Sequence, residues 1–369
     1  MFRFFIHNFC DMNLYLINGF LGSGKTTAIV KACTQLINQQ IKTAVITNDQ
    51  GEQQVDSAYV QGFSLKTGEI SNGCFCCRFD ALEQTVEALQ ISEHPEIIFA
   101  ESVGSCTDLV ATVAKPFALN HYNVRIVISV FADAYFMHSI MKGTSCFIEE
   151  SVQYIYRKQL EEADVIVINK IDLLAGDELK FVKEIVETTY HGKRIIYMST
   201  YHEDDIRNWI QMLNEFSIPP HRNSLELDYD VYGAGEAMLA WFDQKISIHT
   251  HEPIAAKVAL ILTDAIHNKI QQAGYTIVHL KFLLSDNGWN KKISYTANGI
   301  KNNYDEIKDQ PCNHLNVLIN ARVQTSPQLL QQIIAFAIEE TMTLTRCRIV
   351  SRKFSSFQPG YPKPLHRIK

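Results

Sequence analysis

The run GFLGSGKTT at residues 19–27 leaves this chain few folds to choose from. An apolar stretch, NLYLING (13–19), leads into it, and an amphipathic one, TTAIVKACTQLINQQ (26–40), leads out. That is strand, glycine loop, helix. The spacing fits G-x-x-x-x-G-K-[ST] with Gly19, Gly24, Lys25 and Thr26. In that context the backbone N–H groups of Gly22, Ser23, Gly24, Lys25, Thr26 and Thr27 converge on phosphate oxygens, and the helix N-terminus adds its dipole. Lys25 reaches the β- and γ-phosphates, and Thr26 puts its hydroxyl on Mg²⁺.

Beyond the loop, β-branched runs alternate with helical stretches. KTAVITND (42–49), EIIFAES (96–102), NVRIVISV (123–130), DVIVINK (164–170) and KRIIYMS (193–199) read as buried strands. DALEQTVEALQ (80–90) and SVQYIYRKQLEEA (151–163) read as helices, the first with Asp80 as N-cap and Glu83 completing a capping box. The alternation predicts an α/β P-loop NTPase domain over residues 12–215, its mostly parallel sheet covered by helices on both faces. Residues 216–237 have the Pro, Gly and polar content of a linker. Residues 238–345 change to a β-α-β-β-β-α order, which predicts a smaller α+β domain with an antiparallel sheet. Its last helix is opened by Ser326 and Pro327. From Arg346 to Lys369 there are seven Lys/Arg and no Asp/Glu; this stretch reads as a basic irregular tail. Residues 1–11 read as an N-terminal extension, with Met12 a candidate start.

Two further strand ends carry chemistry. EIIFAESVG (96–104) ends its apolar run on Glu101, a carboxylate placed to hold the Mg²⁺ shell or to position an attacking water, so Glu101 joins Lys25 as a catalytic candidate. Gly104 can donate its N–H to the γ-phosphate. INKID (168–172) sets Asn169, Lys170 and Asp172 at the end of a buried strand. A carboxylate there accepts both the N1–H and the amino group of guanine; adenine offers no such pair, so GTP is expected over ATP.

NGCFCC (72–77) holds three of the nine cysteines. Nine is an odd number, and no apolar run reaches the roughly 18–20 residues of a membrane span. A reducing, cytoplasmic setting follows, and a disulfide within this motif would be strained. Cys74 and Cys77 form C-x-x-C, which leaves a thiol oxidoreductase open. Burial as small apolar groups is another reading, against polar flanks. A soft cation strips protons from clustered thiols beside a helix N-terminus, and metal is the favoured reading. Three thiolates leave one tetrahedral position of Zn²⁺ for Glu52, a water or a partner protein. The net charge of −6 argues against nucleic acid as a partner.

GFLGSGKTT, NDQGE (48–52), SNGCFCC (71–77), ESVG (101–104) and NKID (169–172), in that order, resemble the CobW-type P-loop GTPases, metallochaperone relatives of the urease and hydrogenase nickel-insertion GTPases. The resemblance covers roughly residues 12–215, and G-C-x-C-C is its specific part. It implies GTP-dependent delivery of zinc, or in some branches cobalt, to a client metalloprotein. Lys25 and Thr26 match the family's phosphate and Mg²⁺ residues, Cys74, Cys76 and Cys77 its metal ligands, Glu101 its strand-end acid, and Asn169, Lys170 and Asp172 its guanine reader. Asp49 stands where the family usually has Glu and would face Mg²⁺; Glu52 matches the second acid and becomes the candidate fourth zinc ligand. In place of the family's histidine-rich loop there is only HTH (249–251).

A GTP-hydrolysing metallochaperone is therefore expected, with the segment Asp49–Cys77 as its switch. GTP, Mg²⁺ and Zn²⁺, with Co²⁺ as the other metal, are its expected small-molecule partners. A client metalloprotein is the expected macromolecular one, a homodimer is left open, and neither nucleic acid nor membrane is expected. A non-catalytic metal buffer, or a thiol oxidoreductase using Cys74 and Cys77, stands as the alternative.

Overall fold

Strand β1 (Met12–Gly19) is buried along its whole length and lies mid-sheet, which is why its sequence is apolar without alternation. Around it run β2 (Thr43–Asn48), β3 (Lys66–Ile70), β4 (Ile97–Glu101), β5 (Val124–Asp133), β6 (Val165–Asn169) and β7 (Arg194–Met198). The order is β3-β2-β4-β1-β5-β6-β7, and every pairing is parallel. Parallel strands share one carboxyl edge, so the loops after β1, β4, β5, β6 and β7 gather there, where ligands bind in open α/β sheets. This is the P-loop NTPase architecture expected of the first part of the chain.

The computed structural model describes residues 12–51, 55–121, 123–143, 150–219, 221–286, 289–296 and 304–369. These form two compact units that interleave in sequence. One takes the chain up to Asp49, Ser64–Tyr232 and Pro362–Lys369; the other takes Gln50–Phe63 and Gly233–Tyr361. Among the described residues, no helix is long and apolar enough to cross a membrane.

In the first unit, α1 (Lys25–Asn38) turns Ala28, Ile29, Ala32, Cys33 and Leu36 inward at helical spacing. Asp80 is not the N-cap of α3 (Phe79–Glu93): Arg78 holds that position without a side-chain cap, and Asp80 sits in the first turn, where its charge still meets the helix dipole. The remaining helices are α4 (Lys115–Asn120), α5 (Ala134–Met141), α6 (Glu150–Glu162), α7 (Gly176–Thr189) and α8 (Glu203–Glu215). The stretch 216–237 is not all linker, because α9 (Tyr229–Ala237) occupies its end.

The second unit holds β8 (Ala240–His249), α10 (Ala255–Gln272), β9 (Thr276–Asp286), β10 (Trp289–Thr296), α11 (Tyr304–Lys308), β11 (His314–Gln324), α12 (Pro327–Thr345) and β12 (Arg348–Phe357). Its sheet, β10-β9-β11-β8-β12, is antiparallel throughout. The inward residues of α10 and α12, among them Leu262, Ile266, Leu330 and Ile334, share one apolar core with the strands. Ser326 caps α12 by accepting a hydrogen bond from the Leu329 N–H. Strand β12 falls in the stretch read as an irregular tail: the consecutive exposed residues Ser351–Phe354 break its alternation, but it supplies a full edge strand to β8.

A short helix from the first half of the sequence also belongs here. The segment Gln50–Phe63 carries Val55–Gln61, which we label α2 in chain order. The Val55 N–H donates to Asn320 Oδ1 at 2.8 Å. Asp56 pairs with Lys281 at 2.5 Å and Lys292 at 3.6 Å. Burial pushes the Asp56 carboxyl up, but the charges of Lys281, Lys292 and His279 outweigh it and hold Asp56 well below the usual carboxylate range. Part of the expected switch is thus built into the second unit.

Candidate functional site

The glycine loop between β1 and α1 is held by its own lysine. Lys25 Nζ donates to the carbonyls of Gly19 at 2.6 Å and Phe20 at 3.3 Å. Gly24 caps α1 in the left-handed region, φ 95°, and a Cβ there would meet Asn169 Nδ2 at 2.3 Å. Only glycine satisfies both demands. Thr26 Oγ1 donates to Glu101 Oε1 at 2.9 Å, and both residues are buried. A hydroxyl and a carboxylate meeting at the loop's mouth are the hard oxygen donors that suit Mg²⁺, so the residues present fit that ion. Asp49, beyond β2, adds its charge to the neighbourhood: together with burial it raises Glu69. Gly104 lies against the loop, where a Cβ would come within 2.6 Å of Leu21.

The three residues of NKID fall into different roles. Asn169 is fully buried. Its Nδ2 donates to Ser23 O at 2.8 Å and its Oδ1 accepts from the Thr200 N–H at 3.2 Å, so it ties the phosphate loop to the turn after β7. Lys170, at φ 62°, reaches back to Asp133 Oδ2 at 2.7 Å. Asp172 is exposed in the short turn that follows. Asp133 and Thr200 are not visible to a motif search; their signal is position, since each ends or follows a parallel strand at the same edge as Asn169.

The sulfurs of NGCFCC converge. Asn48, the last residue of β2, donates to Ile70 O at 3.1 Å and Gly73 O at 2.7 Å and so fixes the turn before them. Cys74 Sγ lies 2.8 Å from Cys76 Sγ and 3.4 Å from Cys77 Sγ, with Cys76 and Cys77 3.7 Å apart. Cys74 and Cys76 are buried and Cys77 is half-buried. A fourth sulfur, Cys106, comes from the loop after β4; the sulfurs of Cys74, Cys76 and Cys106 all lie within 4.8 Å of one another. Contacts with Cys106, Cys74 and Cys77, together with burial, push the Cys76 thiol well up. Neutral thiols can hydrogen-bond to one another, whereas a thiolate there would face other sulfurs. A divalent cation among them reverses that preference. Glu52 lies outside the described residues. Of the histidines in HTH, His249 ends β8 in the second unit, its ring 4.8 Å from that of His314.

The end of the chain also reaches the cysteines. Residues 362–369 form a strap over the motif. The Lys363 N–H donates to Cys77 Sγ at 3.3 Å, and the Leu365 N–H to Cys76 O at 2.9 Å. Arg367 pairs with the buried Asp108 at 2.7 Å, and the Ile368 N–H donates to Ala111 O at 2.9 Å. Backbone donors and the Arg367 side chain, not a periodic pattern, hold it, so its sequence reads as irregular.

A parallel sheet, a glycine loop capped by Lys25, and a Thr26–Glu101 pair define a P-loop nucleotide-binding domain. The chain belongs to the family described as CobW/HypB/UreG, nucleotide-binding domain, whose model matches residues 13–197. It is similar to the zinc chaperone CobW of Sinorhizobium sp, 27% identical over 195 residues, covering 47% of this chain and 54% of that protein. It is similar also to the zinc chaperone YjiA of Escherichia coli (strain K12), 35% identical over 98 residues, covering 26% of this chain and 30% of that one. The chain spans about half the length, or less, of the curated relatives it matches. Among solved structures, HypB from Helicobacter pylori in complex with nickel aligns over 58% of this chain and 92% of its own, at 15% identity and a TM-score of 0.43.

Proposed function

We propose that this protein is a GTP-hydrolysing metallochaperone that binds a transition metal, zinc before cobalt, at Cys74, Cys76 and Cys77 and delivers it to a client metalloprotein. The observation that carries the reading is the convergence of the motif's sulfurs in the unit that also holds the phosphate loop. The names of the zinc chaperone relatives point the same way.

In this reading Lys25 leaves the Gly19 and Phe20 carbonyls for the β- and γ-phosphates, so the loop exchanges an internal cation for a ligand. Thr26, Glu101 and Asp49 would hold Mg²⁺, which when bound would supply charge neutralisation for the transferred phosphoryl group. Glu101 orients the attacking water. Asn169 keeps loop and base pocket in register, Lys170 flanks the base from its pairing with Asp133, and Asp172 accepts the guanine N–H groups. The metal is cargo. Each thiol that binds it releases a proton to solvent, so uptake is favoured by rising pH.

Single-turnover GTP hydrolysis with and without stoichiometric Zn²⁺ tests the proposal. The expected result is slow hydrolysis whose rate changes when zinc is bound. Hydrolysis indifferent to zinc would leave a GTPase that merely carries a metal, and no hydrolysis at all would favour the buffer or the oxidoreductase.

A further inference from the structure

We infer that Cys106 is the fourth thiolate of the metal site, so that the cargo ion sits in a Cys74–Cys76–Cys77–Cys106 set; this rests on the metal-binding reading above. A tetrahedral ion with sulfurs at about 2.3 Å needs those sulfurs about 3.8 Å apart. Of the three separations within the motif, 3.7 and 3.4 Å lie close to that value, and the Cys74–Cys76 separation, 2.8 Å, has to open by about 1 Å to admit the ion. The Cys106 sulfur is within 4.8 Å of those of Cys74 and Cys76, so small side-chain rotations bring all four to one centre. Cys106 is fully buried and closes the side of the cluster opposite solvent, while half-buried Cys77 forms its open edge.

The loop that presents Cys106 is fixed as a ligand loop has to be. The Cys106 N–H closes a tight turn onto Val103 O at 2.9 Å. The Cys106 carbonyl accepts from Asn18 Nδ2 at 3.1 Å and Gln159 Nε2 at 2.8 Å, and Gln159 also donates to Gly104 O at 3.1 Å. Outer partners of this kind orient metal ligands. Cys33 is the contrast: a buried thiol whose pKa burial raises to about 12, and among the described residues it belongs to no cluster of metal-ligating groups.

The assignment changes how the site is wired. Cys106 lies five residues beyond Glu101, the residue that meets Thr26. The ligand loop thus begins at the Mg²⁺ pocket and ends on the cargo, within one unit. A shift of Glu101 on nucleotide binding would reach the metal through Cys106 without passing through Gln50–Phe63.

X-ray absorption of the full-length protein loaded with one equivalent of Zn²⁺ tests this without any substitution. Four sulfurs at about 2.3 Å are expected. Three sulfurs and one oxygen or nitrogen would overturn the assignment while leaving the metallochaperone reading intact. A protein that takes up no zinc would remove that reading, and this one with it. A second test uses Co²⁺, whose sulfur charge-transfer absorbance scales with the number of Co–S bonds. Cys106→Ser should lower it per bound ion from four bonds to three, and Cys33→Ala should leave it unchanged. Equal intensity in wild type and Cys106→Ser would overturn the assignment.

Discussion

At the scale of the residue, the proposed guanine reader makes the sharpest prediction. Asp172 is exposed and its carboxylate is not spent on the fold, whereas Asn169 is consumed in joining two loops. Asp172→Asn should therefore leave stability unchanged and weaken GTP by about 10- to 100-fold, the value of a charged hydrogen-bond pair, while improving binding of xanthosine triphosphate. Isothermal titration with both nucleotides checks this. Asn169→Ala should weaken GTP and, unlike Asp172→Asn, also lower the melting temperature, because it removes both loop-joining hydrogen bonds. A different residue sets a pH dependence. Burial, and then the charge of Asp108, raise Glu162 from 4.5 to about 8. Between those values the unfolded chain has given up a proton that the folded chain retains, so stability should fall as pH rises through that window and stay low above it. Glu162→Gln should flatten this part of the curve in denaturant titrations at pH 5, 7 and 9.

At the scale of the element, the strap 362–369 is the part to perturb. Removing it takes away the Lys363 N–H from Cys77 Sγ and opens the edge of the sulfur cluster. Alkylation of Cys77 by iodoacetamide, read by mass spectrometry, should then quicken several-fold, with Cys33 unaffected; equal rates would mean that the strap does not shield the site. The strap also shows where a sequence stops being readable. Strands β1, β2, β4 and β6 are buried on both faces, and their continuous apolar runs declare them. β3 has a single buried residue and carries no such run. Helix α2 is seven residues long with two buried valines, too short for a period to show. The phosphate loop, Glu101, Asn169 and the three motif cysteines are legible because their spacing is local. Cys106 is not: its partners lie about thirty positions earlier, and it takes the β3-β2-β4 strand order to bring the loops after β3 and β4 to one sheet edge.

At the scale of the whole molecule, the proposed nucleotide and metal sites fall in one unit, so the proposal expects their affinities to be linked, and any such linkage is reciprocal. Zinc titrations with and without a non-hydrolysable GTP analogue should differ by about 1–3 kcal/mol, and GTP titrations with and without zinc by the same amount. Identical affinities would remove the gating mechanism. The interleaving of the two units has its own test. A fragment ending at Tyr232 lacks the strap and also the sheet on which Val55 and Val60 are buried, roughly 1.5–3 kcal/mol for each side chain. It should unfold at a lower temperature than the full chain and aggregate on heating.

The strap has one more consequence, which concerns time. A ribosome finishes the phosphate loop, the cysteine motif and Cys106 early, but makes residues 362–369 only after the whole of the second unit. Until then the sulfurs stand without their cover. A nascent chain should thus take up and exchange metal freely, and the protein should acquire its guarded site only once residues 362–369 have left the ribosome and docked.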